Sequence, residues 1–166
     1  MPELELTRSP DDRRLYVLPA IGALRVGGWL SRGATAEAGA DRWQLGRRGM
    51  FKAAMQATDG AGAVAGEFEG RALRRGGTLR WGGRKFELRP SSIWRERYAL
   101  AEGERELAAI EGKGWGKRPV KVTVEDGAGP LEPGLLLFAV YVVRALAEDS
   151  AAATGAVAGG AATAGS

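Results

Sequence analysis

Cysteine and histidine are both absent from this chain of 166 residues. Without cysteine the chain has no disulfide, no thiolate nucleophile and no cysteine-based zinc site. Without histidine it lacks the commonest general base near neutral pH, so Ser-His-Asp triads, Cys-His dyads and histidine metal centres are excluded too. We therefore expect no catalytic residue, no metal site and no cofactor, and we interpret the protein as a non-enzyme.

A signal peptide and a membrane-spanning run are also missing from the sequence. The first six residues, Met-Pro-Glu-Leu-Glu-Leu, are acidic and no apolar run follows them. The longest apolar run, residues 135–147, has 13 residues and includes Arg144, whereas a spanning helix needs about 20. We expect a cytoplasmic protein, peripheral at the membrane if it meets one, with no transmembrane span.

Short alternations of apolar and polar residues recur from Arg14 to Val124, separated by pairs of turn residues. Thr78–Trp81 and Lys85–Leu88, for example, flank Gly82-Gly83, which is a strong hairpin signal. About ten short strands at this close spacing indicate a barrel or a sandwich. Residues 34–40 could make one turn of helix, but Gly33 before them and Gly39 near their end favour a loop, which we predict.

The pattern changes after Pro133, where residues 135–147 are almost wholly apolar. Three β-branched valines leave a buried strand open as an alternative, but a run of 13 residues with Leu and Ala at its ends favours a helix. A helix that is apolar all round must be enclosed on every side. Only Tyr141 and Arg144 have polar tips that must find partners.

Many short strands followed by one apolar helix resemble the tubby C-terminal-like superfamily, which includes the phospholipid scramblases and the LURP-one-related proteins. The resemblance covers about residues 15–147 and rests on four segments. They are Arg42-Trp-Gln-Leu-Gly-Arg47, Ala57-Thr-Asp-Gly60, Tyr98-Ala-Leu-Ala-Glu-Gly-Glu-Arg-Glu-Leu-Ala-Ala-Ile110 and Gly134-Leu-Leu-Leu-Phe-Ala-Val-Tyr-Val-Val143. The resemblance implies a mostly β fold, an antiparallel closed barrel of roughly 10–12 strands around one buried apolar C-terminal helix.

The predicted organisation has three parts. An N-terminal segment, residues 1–13, precedes a tubby-like barrel over residues 14–149, with its central helix at about 135–147. Residues 150–166 contain only Ala, Gly, Ser, Thr and one Val, and are predicted to form a disordered tail. For function, the resemblance implies binding of phosphoinositides or acidic phospholipids, or a scaffold role. The calcium-binding segment of the scramblases has no counterpart here, since no Asp/Asn-rich loop adjoins the helix.

Basic residues are concentrated between Ala61 and Pro90, where seven Lys and Arg stand against three Glu, while the rest of the chain has 17 of each sign. A local excess of this kind favours an anionic partner, although solvated arginines on a β-surface are the commoner explanation. The candidate ligand-binding residues are Arg71, Arg74, Arg75, Arg80, Arg84, Lys85 and Arg89.

A glycine-rich basic loop, Gly112–Arg118, offers a secondary candidate site at Lys113, Trp115, Lys117 and Arg118. Its spacing differs from that of a P-loop, but its backbone N–H groups could still hold a phosphate. The alternative is that Trp115 folds back to cap one end of the barrel.

The leading hypothesis is a non-enzymatic barrel that binds an anionic ligand such as phospholipid headgroups. The alternative is a protein-interaction scaffold without a ligand. A third hypothesis, a hydrolase that uses Glu67 and Glu69, competes with the simpler interpretation that these carboxylates form cross-strand ion pairs. Nucleic acid is not expected as a partner, because one tryptophan among these basic residues, Trp81, is thin support for base stacking, and the five tryptophans spread through the chain are more typical of core and barrel-end residues.

Overall fold

The computed structural model describes residues 2–27, 33–49, 54–71, 75–92, 96–112 and 120–150, together with the backbone of the C-terminal helix as far as residue 160. It contains twelve strands and one helix. The strands are β1 (Glu3–Arg8), β2 (Leu15–Leu18), β3 (Gly22–Val26), β4 (Ala34–Ala38), β5 (Asp41–Arg47), β6 (Ala54–Asp59), β7 (Val64–Gly70), β8 (Gly77–Trp81), β9 (Arg84–Ser92), β10 (Arg97–Glu102), β11 (Arg105–Glu111) and β12 (Val120–Val124). The helix α1 spans Pro133–Gly160.

The strands form a closed barrel in which every strand pairs antiparallel with its neighbours in the sequence, and β1 closes the ring by pairing with β12. The predicted fold class, an antiparallel closed barrel around one buried helix, is confirmed. The turn at Gly82-Gly83 joins β8 to β9 as expected, and both glycines have a positive φ (57° and 79°), as a two-residue hairpin turn requires.

The apolar positions of the strands face inward and line up across the barrel wall. Met55, Phe68, Leu79 and Phe86 stand in register on four consecutive strands, and none is more than 1% exposed. This row is the consequence of period-2 alternation, because one register places every apolar side chain of a strand on the same face.

The helix fills the space that these side chains surround. From Leu135 to Val143 no residue is more than 8% exposed, so this segment is buried on every side, as its uniform apolarity predicts. Among the described residues, no helix is long and apolar enough to cross a membrane.

The predicted loop at residues 34–40 is wrong, because residues 34–38 form strand β4. Ala34, Ala36 and Ala38 face the interior and are buried, and the helix packs against β3 and β4. On β3, a Cβ added at Gly22 would lie 3.0 Å from the Leu137 side chain. Packing against the helix therefore overrides the low strand propensity of alanine.

Two predicted boundaries also differ from the structure. Residues 3–8 of the predicted N-terminal segment form β1, because Leu4 and Leu6 alternate with acidic residues and Leu6 enters the core. The helix begins at Pro133 and its backbone continues to Gly160, where the prediction ended it at 147 and placed a disordered tail from 150. Alanine has the highest helix propensity, and elongation of an existing helix costs little. Residues 161–166 of the predicted tail lie outside the described residues.

Candidate anion-binding surface

The meander topology of the barrel assigns each connection between strands to one of its two ends. Because consecutive strands are antiparallel, the connections after odd-numbered strands start and finish at one end, and those after even-numbered strands at the other. We call the first the basic end, and its connections are residues 9–14, 27–33, 48–53, 71–76, 93–96 and 112–119. We call the second the hairpin end, and its connections are residues 19–21, 39–40, 60–63, 82–83, 103–104 and 125–132.

The described connections of the two ends differ in charge. Among the described residues, the connections of the basic end contain five Lys and Arg residues and three acidic residues. Those of the hairpin end, all described, contain no Lys or Arg and four acidic residues, although Arg42, Arg84 and Arg105 stand on the adjoining strand ends. A local excess of one sign raises the local concentration of ligands of opposite charge.

Acidic groups at the basic end are engaged by neighbouring arginines. The side chain of Arg25 binds the carboxylate of Asp12, and the pKa of Asp12 is lowered, first by the backbone N–H of Arg14 and then by Arg25. Where the helix leaves the barrel, Arg47 holds Asp149 through two hydrogen bonds of 2.9 and 3.1 Å. Because the charges of these pairs offset each other, the excess of positive charge at this end comes from the other Lys and Arg residues.

The polar tip of Arg144 finds its partner at the same place. Its guanidinium donates to the Tyr16 hydroxyl at 3.2 Å and to Glu148 at 3.2 Å, and it lies 4.3 Å from the centre of the Tyr16 ring. Together with the Arg47–Asp149 pair, these contacts fix the helix where it emerges from the core. Neither pair was anticipated, because Tyr16 and Arg47 are remote from the helix in sequence.

The seven predicted basic residues do not converge on one concave patch. Arg71 and Arg75 lie in a connection of the basic end, whereas Arg84 follows the β8–β9 turn at the hairpin end. Arg80 and Lys85 are opposite each other on the outer wall near that turn. Arg74 lies outside the described residues.

Arg84 and Arg89 are occupied by protein partners. Arg84 binds Glu102 through two hydrogen bonds of 2.7 and 2.9 Å, and this pairing raises the pKa of Arg84 and lowers that of Glu102. Arg89 donates to Glu87 at 2.9 Å and to the carbonyl of Gly103 at 2.7 Å, and its hydrogen bond lowers the pKa of Glu87. A phosphate would have to displace these contacts, so the two arginines contribute to the wall rather than to a site.

The remaining candidates differ in their availability. Arg71 is half-exposed and its nearest carboxylate oxygen, on Glu87, is 3.7 Å away. Within the described part of the chain, Arg75, Arg80 and Lys85 form no ion pair. Arg75, Arg80 and Lys85 can therefore bind an anion without breaking an ion pair, and Arg71 would give up only the long contact with Glu87.

Glu67 and Glu69 lie on the outer wall, beside Arg80 and Lys85 in a shallow depression. Glu67 is opposite Arg80 in register and accepts a hydrogen bond of 2.7 Å from Arg48. Glu67 therefore forms a cross-strand ion pair with Arg48, as the simpler interpretation predicts for it, whereas no ion pair of Glu69 is found among the described residues.

The helix occupies the centre of the barrel. Among the described residues, the buried side chains with a polar group are those of Tyr98, Tyr141 and Trp81, and no charged side chain is buried. The described residues also include no group of three or more Asp or Glu side chains that could hold a metal ion.

The secondary loop residues Lys113, Trp115, Lys117 and Arg118 lie outside the described residues, as do residues 113–119 as a whole. Their flanking residues, Gly112 and Val120, are at the basic end, where a Cβ added at Gly112 would lie 3.0 Å from Val143 of the helix. The loop thus joins two strands at the same end as Arg71 and Arg75.

Comparisons of this chain with protein-family models, with curated proteins and with solved structures gave no significant match. The likeness to the tubby superfamily therefore stays a prediction from the sequence.

Proposed function

We propose that this barrel is a non-catalytic module that binds anionic ligands, phospholipid headgroups in particular, at its basic end. The observation that carries the proposal is the difference in charge between the described connections of the two ends: five basic and three acidic residues at one end, none and four at the other. The proposed site is therefore smaller than the predicted stretch Arg71–Arg89 and is centred on its residues at the basic end, Arg71 and Arg75.

Two further features support this location. The interior is filled by the helix, which favours a site on the outside. At the basic end, Arg71 is half-exposed and Arg75 has no ion pair among the described residues, so both can meet a phosphate without losing a strong partner. Guanidinium groups are suited to phosphate because they can donate two parallel hydrogen bonds.

The test is flotation of the purified chain with vesicles of phosphatidylcholine alone and of phosphatidylcholine with 30% phosphatidylserine. We expect binding to the anionic vesicles only, and weaker binding in 1 M salt, where the Debye length falls from about 10 Å at 0.1 M to about 3 Å. Each basic residue near an anionic surface contributes about 1 kcal/mol, so Arg71→Glu with Arg75→Glu should weaken binding at least tenfold.

The matched control makes the same change of charge at the hairpin end, where Arg42 and Arg105 stand on exposed strand ends. Arg42→Glu with Arg105→Glu should leave vesicle binding near the original value. Equal losses from the two double variants would show a response to net charge alone, and a chain that never floats would favour the scaffold alternative. Either result contradicts the proposed site.

A further inference from the structure

A depression in the outer wall, over strands β7, β8 and β9, brings together unpaired charges of both signs. It has a volume of about 70 Å³ and is lined by five side chains, those of Glu67, Glu69, Thr78, Arg80 and Lys85. All five lie on strands of the described structure, and none belongs to a connection of the basic end. We call this group the wall depression.

The two cations of the wall depression repel each other and have no protein partner that offsets the repulsion. Arg80 and Lys85 are directly opposite on β8 and β9, where Cβ atoms are about 4.5–5.5 Å apart and like charges are destabilising. Among the described residues, neither forms an ion pair or a hydrogen bond. Arg84, the residue before Lys85, differs in this respect, because it binds Glu102 through two hydrogen bonds. An anionic group between Arg80 and Lys85 would remove the repulsion.

The carboxylates of the wall depression do not neutralise these cations. Glu67 is opposite Arg80 in register, but its carboxylate is 2.7 Å from the guanidinium of Arg48 instead. Glu69 is opposite Thr78 and forms no ion pair within the described part of the chain. Glu69 is on β7 and Lys85 is on β9, so opposite charges stand at the two sides of the depression, about 10 Å apart at the backbone, which is two interstrand spacings.

We propose that the wall depression binds a small zwitterion, with its primary ammonium group on Glu69 and its carboxylate or phosphate between Arg80 and Lys85. The class includes glycine, β-alanine and phosphoethanolamine, in which a short chain separates the two charged groups. The guanidinium of Arg80 can donate two parallel hydrogen bonds to the acidic group. This inference goes beyond the proposed function, because the site is on the wall and needs neither Arg71 nor Arg75.

The charge and the size of the wall depression both favour a zwitterion over a simple ion. A lone anion would meet the carboxylates of Glu67 and Glu69, and a lone cation would meet Arg80 and Lys85, so each is repelled at one side. A water molecule needs about 10–15 Å³ of such space, so the volume suits a ligand of about five to seven heavy atoms, the size of glycine or β-alanine. Phosphoethanolamine is slightly larger and would extend through the open side.

The first experiment is an NMR titration of the ¹⁵N-labelled chain at constant ionic strength. The zwitterions are glycine, β-alanine and phosphoethanolamine, and the simple ions for reference are acetate, methylammonium and inorganic phosphate. We expect saturable shifts of backbone amide resonances in β7–β9, and binding of the zwitterions about fivefold tighter than that of the reference ions, which is the effect of one additional exposed ion pair. Equal affinities for glycine and acetate would overturn the inference. A preference for β-alanine or for phosphoethanolamine supports it and identifies the acidic group as carboxylate or phosphate.

The second experiment changes the preference between ligands by substitution. Glu69→Gln should weaken the binding of glycine about fivefold and strengthen that of acetate, because a repelling carboxylate is removed. Lys85→Gln should weaken the binding of both. A loss of stability would not produce this opposite response to two ligands, so the result is specific to binding.

The matched control is Glu106→Gln, which removes an exposed carboxylate from β11 and should leave the affinities for glycine and acetate unchanged. Equal effects of Glu69→Gln and Glu106→Gln would show a response to net charge alone and would overturn the inference.

The wall depression and the basic end can be tested separately. Arg71→Glu with Arg75→Glu, which removes the proposed anion site, should leave the affinity for glycine unchanged. A chain that floats with anionic vesicles and binds no zwitterion would refute the site in the wall depression and leave the proposed function standing. Loss of glycine binding in the Arg71→Glu, Arg75→Glu variant would place the zwitterion at the basic end, which also contradicts the inference.

Discussion

Replacing Gly134 by alanine sets two physical effects against each other, and the structure decides which one wins. Alanine is favoured over glycine in a helix by up to about 1 kcal/mol, so propensity alone predicts a more stable protein. The Cβ at this position, however, would lie 2.3 Å from Cζ2 of Trp81 and 2.8 Å from Cζ2 of Trp43. Backbone or rings must move by about 1 Å to restore ordinary contact distances, and overpacking of this kind costs about 1–3 kcal/mol.

We therefore expect Gly134→Ala to lower the free energy of unfolding by about 1–2 kcal/mol, measured by urea denaturation with far-UV circular dichroism. The control is Gly46→Ala, because nothing lies within 4 Å of a Cβ at Gly46 and alanine is then neutral or stabilising. Gly66→Ala tests the other side of the same indole, since its Cβ would be 2.5 Å from Cε3 of Trp81. A Gly134→Ala variant more stable than the original chain would refute the close packing of the helix start against the two indoles.

Three other expectations concern the core. Val140→Asp should prevent cooperative folding, because Val140 is 0% exposed and an unpaired buried charge costs several kcal/mol, comparable to total stability. Val140→Ala is the milder control. A soluble Val140→Asp chain that unfolds cooperatively would contradict the central position of the helix. Ala36→Leu should destabilise by about 1–3 kcal/mol in the same urea assay, because β4 faces the helix with small side chains only; a neutral result would mean that space remains there. Burial raises the pKa of both Tyr98 and Tyr141. Their contribution to the free energy of unfolding is therefore complete below the unfolded pKa of about 10 and is lost as pH rises through the folded pKa values. Tyr98→Phe with Tyr141→Phe should make the free energy of unfolding less dependent on pH above about 10, and an unchanged alkaline transition would refute this.

The buried helix was predictable because every face of residues 135–143 is apolar, and such a segment can be accommodated only inside a core. Its end was not predictable in the same way, since residues 148–160 have no apolar stripe that could mark where packing stops. The alternation of the strands predicted a barrel or a sandwich, and the ring order followed only from the pairing of β1 with β12.

Strand β4 shows why local pattern can fail. Its alanines alternate with Thr35 and Glu37, but alanine carries too little apolar surface to signal a buried face. The strand is stabilised by packing against the helix, which lies almost 100 residues later in the chain. The residues next to β4 in the sequence carry no information about that contact.

The candidate site was only partly visible in the sequence. Composition identified the basic stretch, but Arg84 binds Glu102 and Arg89 binds the carbonyl of Gly103, both on or beside a different strand, and only the fold shows these contacts. The charge of the basic end is accessible from the sequence once alternate connections of a meander are assigned to opposite ends and the residues of each sign are counted.

The position of the helix in the chain has a consequence for how the protein is made. Residues 133–147 are synthesised after all twelve strands, and β1 must wait for β12 before the ring can close. Inward apolar side chains of the earlier strands therefore leave the ribosome with nothing to pack against, and pairings between residues so distant in sequence form slowly. During each round of translation an open, unfilled wall exists that can associate with other chains. A chain that stopped short of residue 135 would remain in that state.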